Sequence, residues 1–349
     1  MKWIVRAVLF LSCLFLIAGC ASPAAPTLAP TAAPPLATAV PSPAPLVKLN
    51  IAYSAIAAPQ LPMWVAYEQG LFKQNGLDVT LTYVSSNPSL TAALISGELQ
   101  MAQMAEDGVI NSGLQGGDLV ILAPSSEHLL FSLYAKPDIT SVEQLKGKKI
   151  GVTQRGSATD FAARWLLNQH GLTPDQDVTL VNIGGVPEIL TAMTSGAVDA
   201  GVISPPTTFK AQQAGLKEVV DFSTLNLAFY QSAVVARRSW IKDNASTVRQ
   251  FMKAYVEAIA IIKKDKATAE QVLGKYSKTT DATVLDGTYN SFVKVLPQAP
   301  IPTVDAIQTG LDQAAATNPK AKTADPNQFF DASWVQELDK SGFIASLYK

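Results

Sequence analysis

Two adjacent acidic residues, Glu106 and Asp107, stand among hydroxyls, amides and aromatic rings that sit just beyond short apolar runs. Ser54, Gln60 and Trp64 follow the run that ends at Tyr53. Ser85, Ser86 and Asn87 follow a second run, and the acidic pair follows a third. Farther along, Gln154, Arg155, Ser157 and Thr159 hold the same relative position, as do Gly184 and Gly185, and Ser204 and Pro205. Carboxylates accept hydrogen bonds from ligand N–H groups, which anions cannot offer. Hydroxyls at helix starts, with free backbone N–H groups beside them, suit an anion or a carbonyl oxygen. They serve equally well as plain N-caps. Arg155 is an anion clamp or a solvated loop charge, and an acidic pair is also favoured in the first turn of a helix. Trp64 in such a place packs more often than it stacks on a ligand. Tyr53 and Tyr230, at strand ends, are placed for rings that face a cleft.

Catalytic patterns are missing. The sequence has no G-x-S-x-G, no H-E-x-x-H and no phosphate loop. His128 and His170 are far apart and show no metal spacing, so both are read as structural, and no metal or other cofactor is expected. The only cysteines are Cys13 and Cys20, so the chain beyond them offers no disulfide, thiolate nucleophile or Cys-ligated metal. The formal net charge is -1 with both signs interspersed, which leaves no nucleic-acid footprint.

The candidate residues need elements to position them. Apolar runs at 47–53, 79–83, 100–104 and 119–123 predict strands, with helices at 62–75 and 88–96 between them. Pro88 stands in the first turn of the second helix and Gly97 just past its end, the expected capping asymmetry. The pattern recurs as strands at 149–153, 178–182, 198–203 and 218–220 with helices at 158–170, 187–195 and 206–214. Alternation of this kind predicts parallel sheets covered by helices. Ligands of such sheets sit beyond the carboxyl ends of the strands, where the candidates lie. After a strand at 230–236 the chain turns helical: 246–264, 266–276, 282–296, 303–315 and 330–341.

The two halves repeat at one spacing. Pro88, Ala93, Ser96, Gly97, Gly116 and Val120 recur 99 residues later as Pro187, Ala192, Ser195, Gly196, Gly215 and Val219. At that spacing Glu106 meets Pro205, so the two halves of a shared pocket differ chemically.

The first 45 residues have another character. Lys2 and Arg6 precede an apolar run at 7–18 that is too short to span a bilayer stably and fits a signal peptide, 1–19. The run ends in Ile17-Ala18-Gly19-Cys20, which resembles the bacterial lipobox, with Ile17 where Leu is usual. Cys20 is therefore expected to be lipidated, which places the protein outside the cytoplasm on the cell membrane, or on an outer membrane where one exists. Two acyl chains hold a protein on a membrane durably. Residues 20–45 are almost all Ala, Pro, Thr and Ser, the composition of an uncharged tether.

Tyr67-Glu68-Gln69-Gly70-Leu71-Phe72, Leu145-Lys146-Gly147-Lys148-Lys149-Ile150-Gly151-Val152 and Ser195-Gly196-Ala197-Val198-Asp199-Ala200 resemble motifs of substrate-binding proteins of the sulfonate, nitrate and thiamine-precursor type. In the first half the Asp of the last motif is replaced by Gln100. The resemblance implies an α/β, periplasmic-binding-protein-like clamshell of two doubly wound lobes joined by two crossing strands, with a helical C-terminal tail. Lobe 1 would be 46–133 plus 230–349 and lobe 2 138–228. It further implies a non-enzymatic monomer that captures a small molecule and delivers it to an ABC permease and its ATPase. One branch of the family is a cytosolic pyrimidine synthase that relies on a Cys-rich motif, which this chain lacks beyond Cys20. The acidic pair favours a heterocycle with N–H donors, riboflavin or a thiamine-precursor pyrimidine, over alkyl or aryl sulfonates, taurine or nitrate. A tethered enzyme and a ligand sensor on the same fold remain open alternatives.

Overall fold

The computed structural model describes residues 45–349 except Ser86, Glu127 and Asn226. The expected signal peptide, Cys20, nearly all of the tether and Ser86 lie outside the described residues.

Two sheets organise the chain. The first half supplies β1 (Val47–Tyr53), α1 (Leu61–Glu68), α2 (Leu71–Gln74), β2 (Leu77–Tyr83), α3 (Asn87–Ser96), β3 (Met101–Met104), α4 (Glu106–Leu114) and β4 (Leu119–Pro124). Next come β5 (Ser132–Ala135), β6 (Lys149–Val152), α5 (Ala158–Gln169), β7 (Thr179–Asn182), α6 (Val186–Thr194), β8 (Ala200–Ile203), α7 (Thr207–Gln213) and β9 (Lys217–Asp221). β10 (Ala233–Arg237) follows. The tail is α8 (Arg238–Asp243), α9 (Ala245–Lys264), α10 (Lys266–Ser277), α11 (Ala282–Val293), α12 (Val304–Ala314), α13 (Ser333–Lys340) and α14 (Phe343–Ser346). Strand order is β2-β1-β3-β10-β4 in one sheet and β7-β6-β8-β5-β9 in the other. β1 runs parallel to β2 and β3, whereas β10 is antiparallel to β3 and β4. β5 takes the same place in the second sheet, antiparallel to β8 and β9. Each sheet thus receives one strand across a chain crossing.

The repeat is structural. β3 at 101–104 and β8 at 200–203 keep the spacing seen in sequence, and α3 and α6 begin in step at Asn87 and Val186. The Gln100 replacement conserves an interaction: Gln100 Oε1 accepts from Asn50 N at 2.8 Å, and Asp199 Oδ2 accepts from Lys149 N at 3.0 Å. Asp199 adds a 2.7 Å ion pair with Lys136.

Three points differ from the sequence reading. The helix expected at 62–75 is two, because Gly70 adopts φ 68° between α1 and α2, a conformation that suits glycine. Glu106 and Asp107 do begin a helix, α4, as suits acidic residues in a first turn. The short strand β5 carries no alternating pattern, since all four of its residues are buried, and it escapes a sequence reading. β10 starts at Ala233 rather than at residue 230, because the preceding three residues direct their polar groups elsewhere.

Those three residues anchor the second chain crossing. Glu106 N donates to Tyr230 O at 3.0 Å, and Glu106 Oε2 accepts from Tyr230 N at 2.9 Å. Gln231 Oε1 accepts from Leu130 N, on the first crossing, at 2.6 Å. Ser232 O accepts from Ser125 N at 2.8 Å and from Ser125 Oγ at 3.0 Å. His128 and Ala228 form an antiparallel bridge between the crossings.

In the tail, α9 buries a stripe of Val248, Phe251, Met252, Tyr255, Ile259 and Ile262 beneath the first sheet, a helical period that covers one face. The second sheet packs its α6 close: a Cβ at Gly201 would lie 2.3 Å from Ile189 Cγ2. Among the described residues no helix is long and apolar enough to cross a membrane.

Gly201→Val should therefore destabilise the fold by about 1–3 kcal/mol in chemical denaturation, the usual cost of overpacking. A second prediction concerns Glu106. Burial raises its carboxyl well above the ordinary value, the Asp107 charge adds to this, and the Tyr230 N–H opposes it. Between the ordinary and the raised value the folded state holds a proton that the unfolded state has lost, so stability falls as pH rises through that window. Glu106→Gln keeps an acceptor for Tyr230 N without titrating. The Tm of the variant relative to the native chain should rise from about pH 5 to about pH 8. A constant difference across that range would mean that Glu106 is ionised in the fold.

Candidate functional site

Where the two sheets face each other, the carboxyl ends of β1 and β6 and the starts of α3, α5 and α6 surround a small inner cavity of about 40 Å³. That is room for roughly three water molecules. The first sheet contributes Ser54, Gln60, Ser85 and Asn87; the second contributes Thr153, Ser157, Thr159 and Val186; the second crossing contributes Gln231 and Ser232. None of the described residues that line it is charged.

The hydroxyls form a triangle at the start of α5. Thr153 Oγ1 donates to Ser157 Oγ at 2.7 Å and lies 2.9 Å from Thr159 Oγ1, which is 3.0 Å from Ser157 Oγ. Thr159 Oγ1 also accepts from Thr153 N at 2.9 Å, and Ser157 is the N-cap of α5. Ser157 is thus both a cap and a cavity hydroxyl. Three helix N-termini carry partial positive charge toward one small volume, and rotatable hydroxyls can turn donors into it. The arrangement suits oxygen atoms of an anion or a carbonyl. Across the seam, Ala58 N donates to Pro205 O at 3.1 Å. Gln60 Nε2 reaches Ser54 Oγ at 3.3 Å, while its Oε1 is buried with no partner among the described residues.

Beside this cavity lies an outer chamber of about 390 Å³, within the range of small-molecule pockets. Asp107 and Asn111 of α4, Gln313 of α12 and Arg155, Phe161 and Arg164 of the second sheet's side line it. Phe161 and Phe229 stack there at 4.1 Å. Arg164 is held by Asp160 and Asp175, each at 2.9 Å. Asp107 Oδ1 accepts from Asn87 Nδ2 at 2.7 Å, which joins the chamber to the inner cavity wall. Burial pushes the Asp107 carboxyl up to about 7, against the lowering effect of the Asn87 bond.

Of the candidates from sequence, Ser54, Gln60, Ser85, Asn87, Ser157 and Thr159 meet around the inner cavity. Others lie elsewhere. Arg155 is 73% exposed at the chamber, 3.5 Å from Asp175. Glu106 is buried against the Tyr230 backbone and away from the cavity. The Tyr230 ring is buried and its hydroxyl accepts from Thr303 N at 2.6 Å. Trp64 is fully buried, stacked on Tyr276 at 4.6 Å, with Tyr53 on its edge at 5.5 Å. Ser204 is buried outside the cavity, and its carbonyl accepts from Thr207 N at 2.8 Å. Sequence reading missed Thr153, Gln231 and Ser232. Thr153 ends a predicted strand and could have been included by position; Gln231 and Ser232 fell inside a run read as pleated strand. Among the described residues no group of three His, Cys, Asp or Glu side chains could hold a metal.

Comparison with known proteins matches this architecture. A Bacillus subtilis protein named as the binding protein YtlA is 26% identical over 61% of this chain, and the match spans 65% of that protein, just under two thirds of its length. A Brachyspira hyodysenteriae protein named as an ABC transporter periplasmic binding protein is 23% identical, covering 88% of this chain and 87% of its own. The alkanesulfonate-binding protein SsuA of Xanthomonas axonopodis pv. citri, solved with MOPS, shares the fold at TM-score 0.67 and 18% identity, over 81% of this chain and 96% of its own. The fold is that of periplasmic binding proteins. The sequence model of the family described as NMT1/THI5 like matches residues 59–269, more than half of the chain, which therefore belongs to the NMT1/THI5-like family.

Proposed function

We propose that this chain is the solute-binding component of an ABC importer, lipid-anchored through Cys20 outside the cytoplasm, and that it is not an enzyme. One observation carries the reading: an uncharged cavity ringed by helix N-termini and hydroxyls at the seam between two sheets. The bodies that close on the ligand are lobe 1, 46–133 plus 230–349, and lobe 2, 138–228. A ligand that bonds to both sides favours the closed arrangement by its differential affinity for it.

The ligand reading shifts with the geometry. Riboflavin or a pyrimidine fits a pocket lined by Glu106 and Asp107 together. Glu106 is instead occupied by Tyr230, and a three-ring vitamin is far larger than about three waters. The geometry supports a compact oxygen-rich head, such as a sulfonate, in the inner cavity, with its organic body toward the outer chamber. The relative SsuA, named for alkanesulfonate binding, agrees with that class. A second reading, a thiamine-precursor pyrimidine, draws support from Asp107, whose carboxyl at the outer chamber could pair with ring N–H donors.

Thermal shift of the domain from residue 45 onward, with methanesulfonate, taurine, nitrate, a hydroxymethylpyrimidine and riboflavin, tests both. Sulfonates should stabilise it by about 2.7 kcal/mol at a hundredfold excess over Kd. Ser157→Ala should weaken that binding roughly tenfold by removing a hydrogen bond to a charged group. Stabilisation by the pyrimidine alone would reverse the two ligand readings, and turnover of any probe would favour an enzyme. For the anchor, Cys20→Ser should move the protein from the membrane fraction to the soluble fraction; an unchanged distribution would refute lipidation at that residue.

A further inference from the structure

The second crossing segment passes along the inner cavity, and Gln231 is the residue that touches both. The residue is buried, with 6% of its surface exposed, and it lines the cavity. The orientation of its amide is dictated by chemistry. Leu130 N–H is a donor 2.6 Å away, so the oxygen Oε1 must face the first crossing segment. Nε2 then points away from Leu130. It has no partner among the described residues, yet it is not sealed off as Gln60 Oε1 is.

We infer that Gln231 Nε2 donates to an acceptor atom of the ligand in the inner cavity, so that one amide plane links the ligand to the contact between the two crossing segments. This rests on the cavity being the ligand site. Donation from the nitrogen makes the amide oxygen a better acceptor, so each bond strengthens the other. Occupancy of the cavity would then tighten the Leu130–Gln231 contact, which joins the segments that connect the lobes. The neighbouring ties, Tyr230 on Glu106 and Ser232 on Ser125, bond within the protein and carry no free donor of this kind.

Two substitutions separate the parts. Gln231→Glu keeps an acceptor for Leu130 N–H but replaces the cavity donor with a second oxygen. Gln231→Met removes both. Amide hydrogen exchange at Leu130 and calorimetric titration with methanesulfonate, nitrate and a hydroxymethylpyrimidine read them out, with Gln231→Glu followed from about pH 6 to about pH 9.5 because burial raises the new carboxyl and only its ionised form lacks a donor. In the native chain a probe that binds should slow Leu130 exchange and shift the Gln231 side-chain NH₂ resonance, a test that needs no variant to fold. Once ionised, Gln231→Glu should retain basal Leu130 protection, lose its dependence on the probe, and bind about 10- to 100-fold more weakly. Gln231→Met should lose the protection as well. Equal affinity in the native chain and Gln231→Glu across that range, or an unmoved NH₂ resonance at saturation, would overturn the inference while leaving the cavity as the site. Binding of no probe by the native chain would overturn the cavity reading, and this inference with it.

Discussion

Three consecutive residues, Tyr230, Gln231 and Ser232, fix the second chain crossing through hydrogen bonds to Glu106, Leu130 and Ser125. These bonds are buried, where an unpaired backbone group costs about as much as a lost hydrogen bond. The segment therefore has few alternatives to its observed path. Its path in turn sets where β10 enters the first sheet, between β3 and β4, and leaves Gln231 and Ser232 along the cavity. Glu106 belongs to this support. A neutral carboxylic acid in the interior can accept from Tyr230 N without the desolvation cost of a charge, which is the sense of its raised pKa. Gly310 makes room for it: a Cβ there would lie 2.7 Å from Glu106 Oε1 and 2.3 Å from Ile110 Cδ1.

The internal repeat explains the architecture, and its departures explain the asymmetry. Matching strands and helices keep one spacing, and the Asn50–Gln100 and Lys149–Asp199 contacts perform the same task with different side chains. At Glu106 and Pro205 the halves diverge. Glu106 N–H and side-chain carboxyl grip the second crossing, whereas Pro205, which has no N–H to give, offers its carbonyl to Ala58 across the seam. One copy of the loop became a clamp on the chain crossing, and the other became a contact between the sheets. β5 and β10 fill equivalent sheet positions and end their halves about one repeat spacing apart, so each half lends its last strand to the other's sheet.

Much of the fold was legible because it rests on local signals. Apolar runs, Pro88 inside a helix start and Gly97 after its end mark elements whose boundaries the structure reproduces within a few residues. The break at Gly70 was hidden by the apolar residues on both sides of it, which read as one helix. The candidate site was legible only where position along a strand decides orientation: Ser54, Ser157 and Thr159 follow strand ends and do reach the cavity. Glu106 and Tyr230 also follow strand ends, yet their polar groups pair with residues more than a hundred positions away or with the tail, as Tyr230 does with Thr303. No local pattern announces such a partner. Gln231 was missed for the same reason, since only the neighbouring segment at Leu130 gives its amide a direction.

The absence of charge around the inner cavity has a physical logic. A guanidinium placed there would need a partner in every state of a binding cycle, because an unpaired buried charge is severely destabilising. Helix N-termini and mutually bonded hydroxyls avoid this. Thr153, Ser157 and Thr159 satisfy one another, and a rotation of each O–H can redirect a donor to a ligand oxygen. The charged groups sit at the outer chamber, where Arg155 is solvated and Arg164 is neutralised by Asp160 and Asp175. Recognition at the centre then depends on size and on the count of acceptor oxygens rather than on a fixed counter-charge. An uncharged lining also lets a ligand leave without stranding a buried ion.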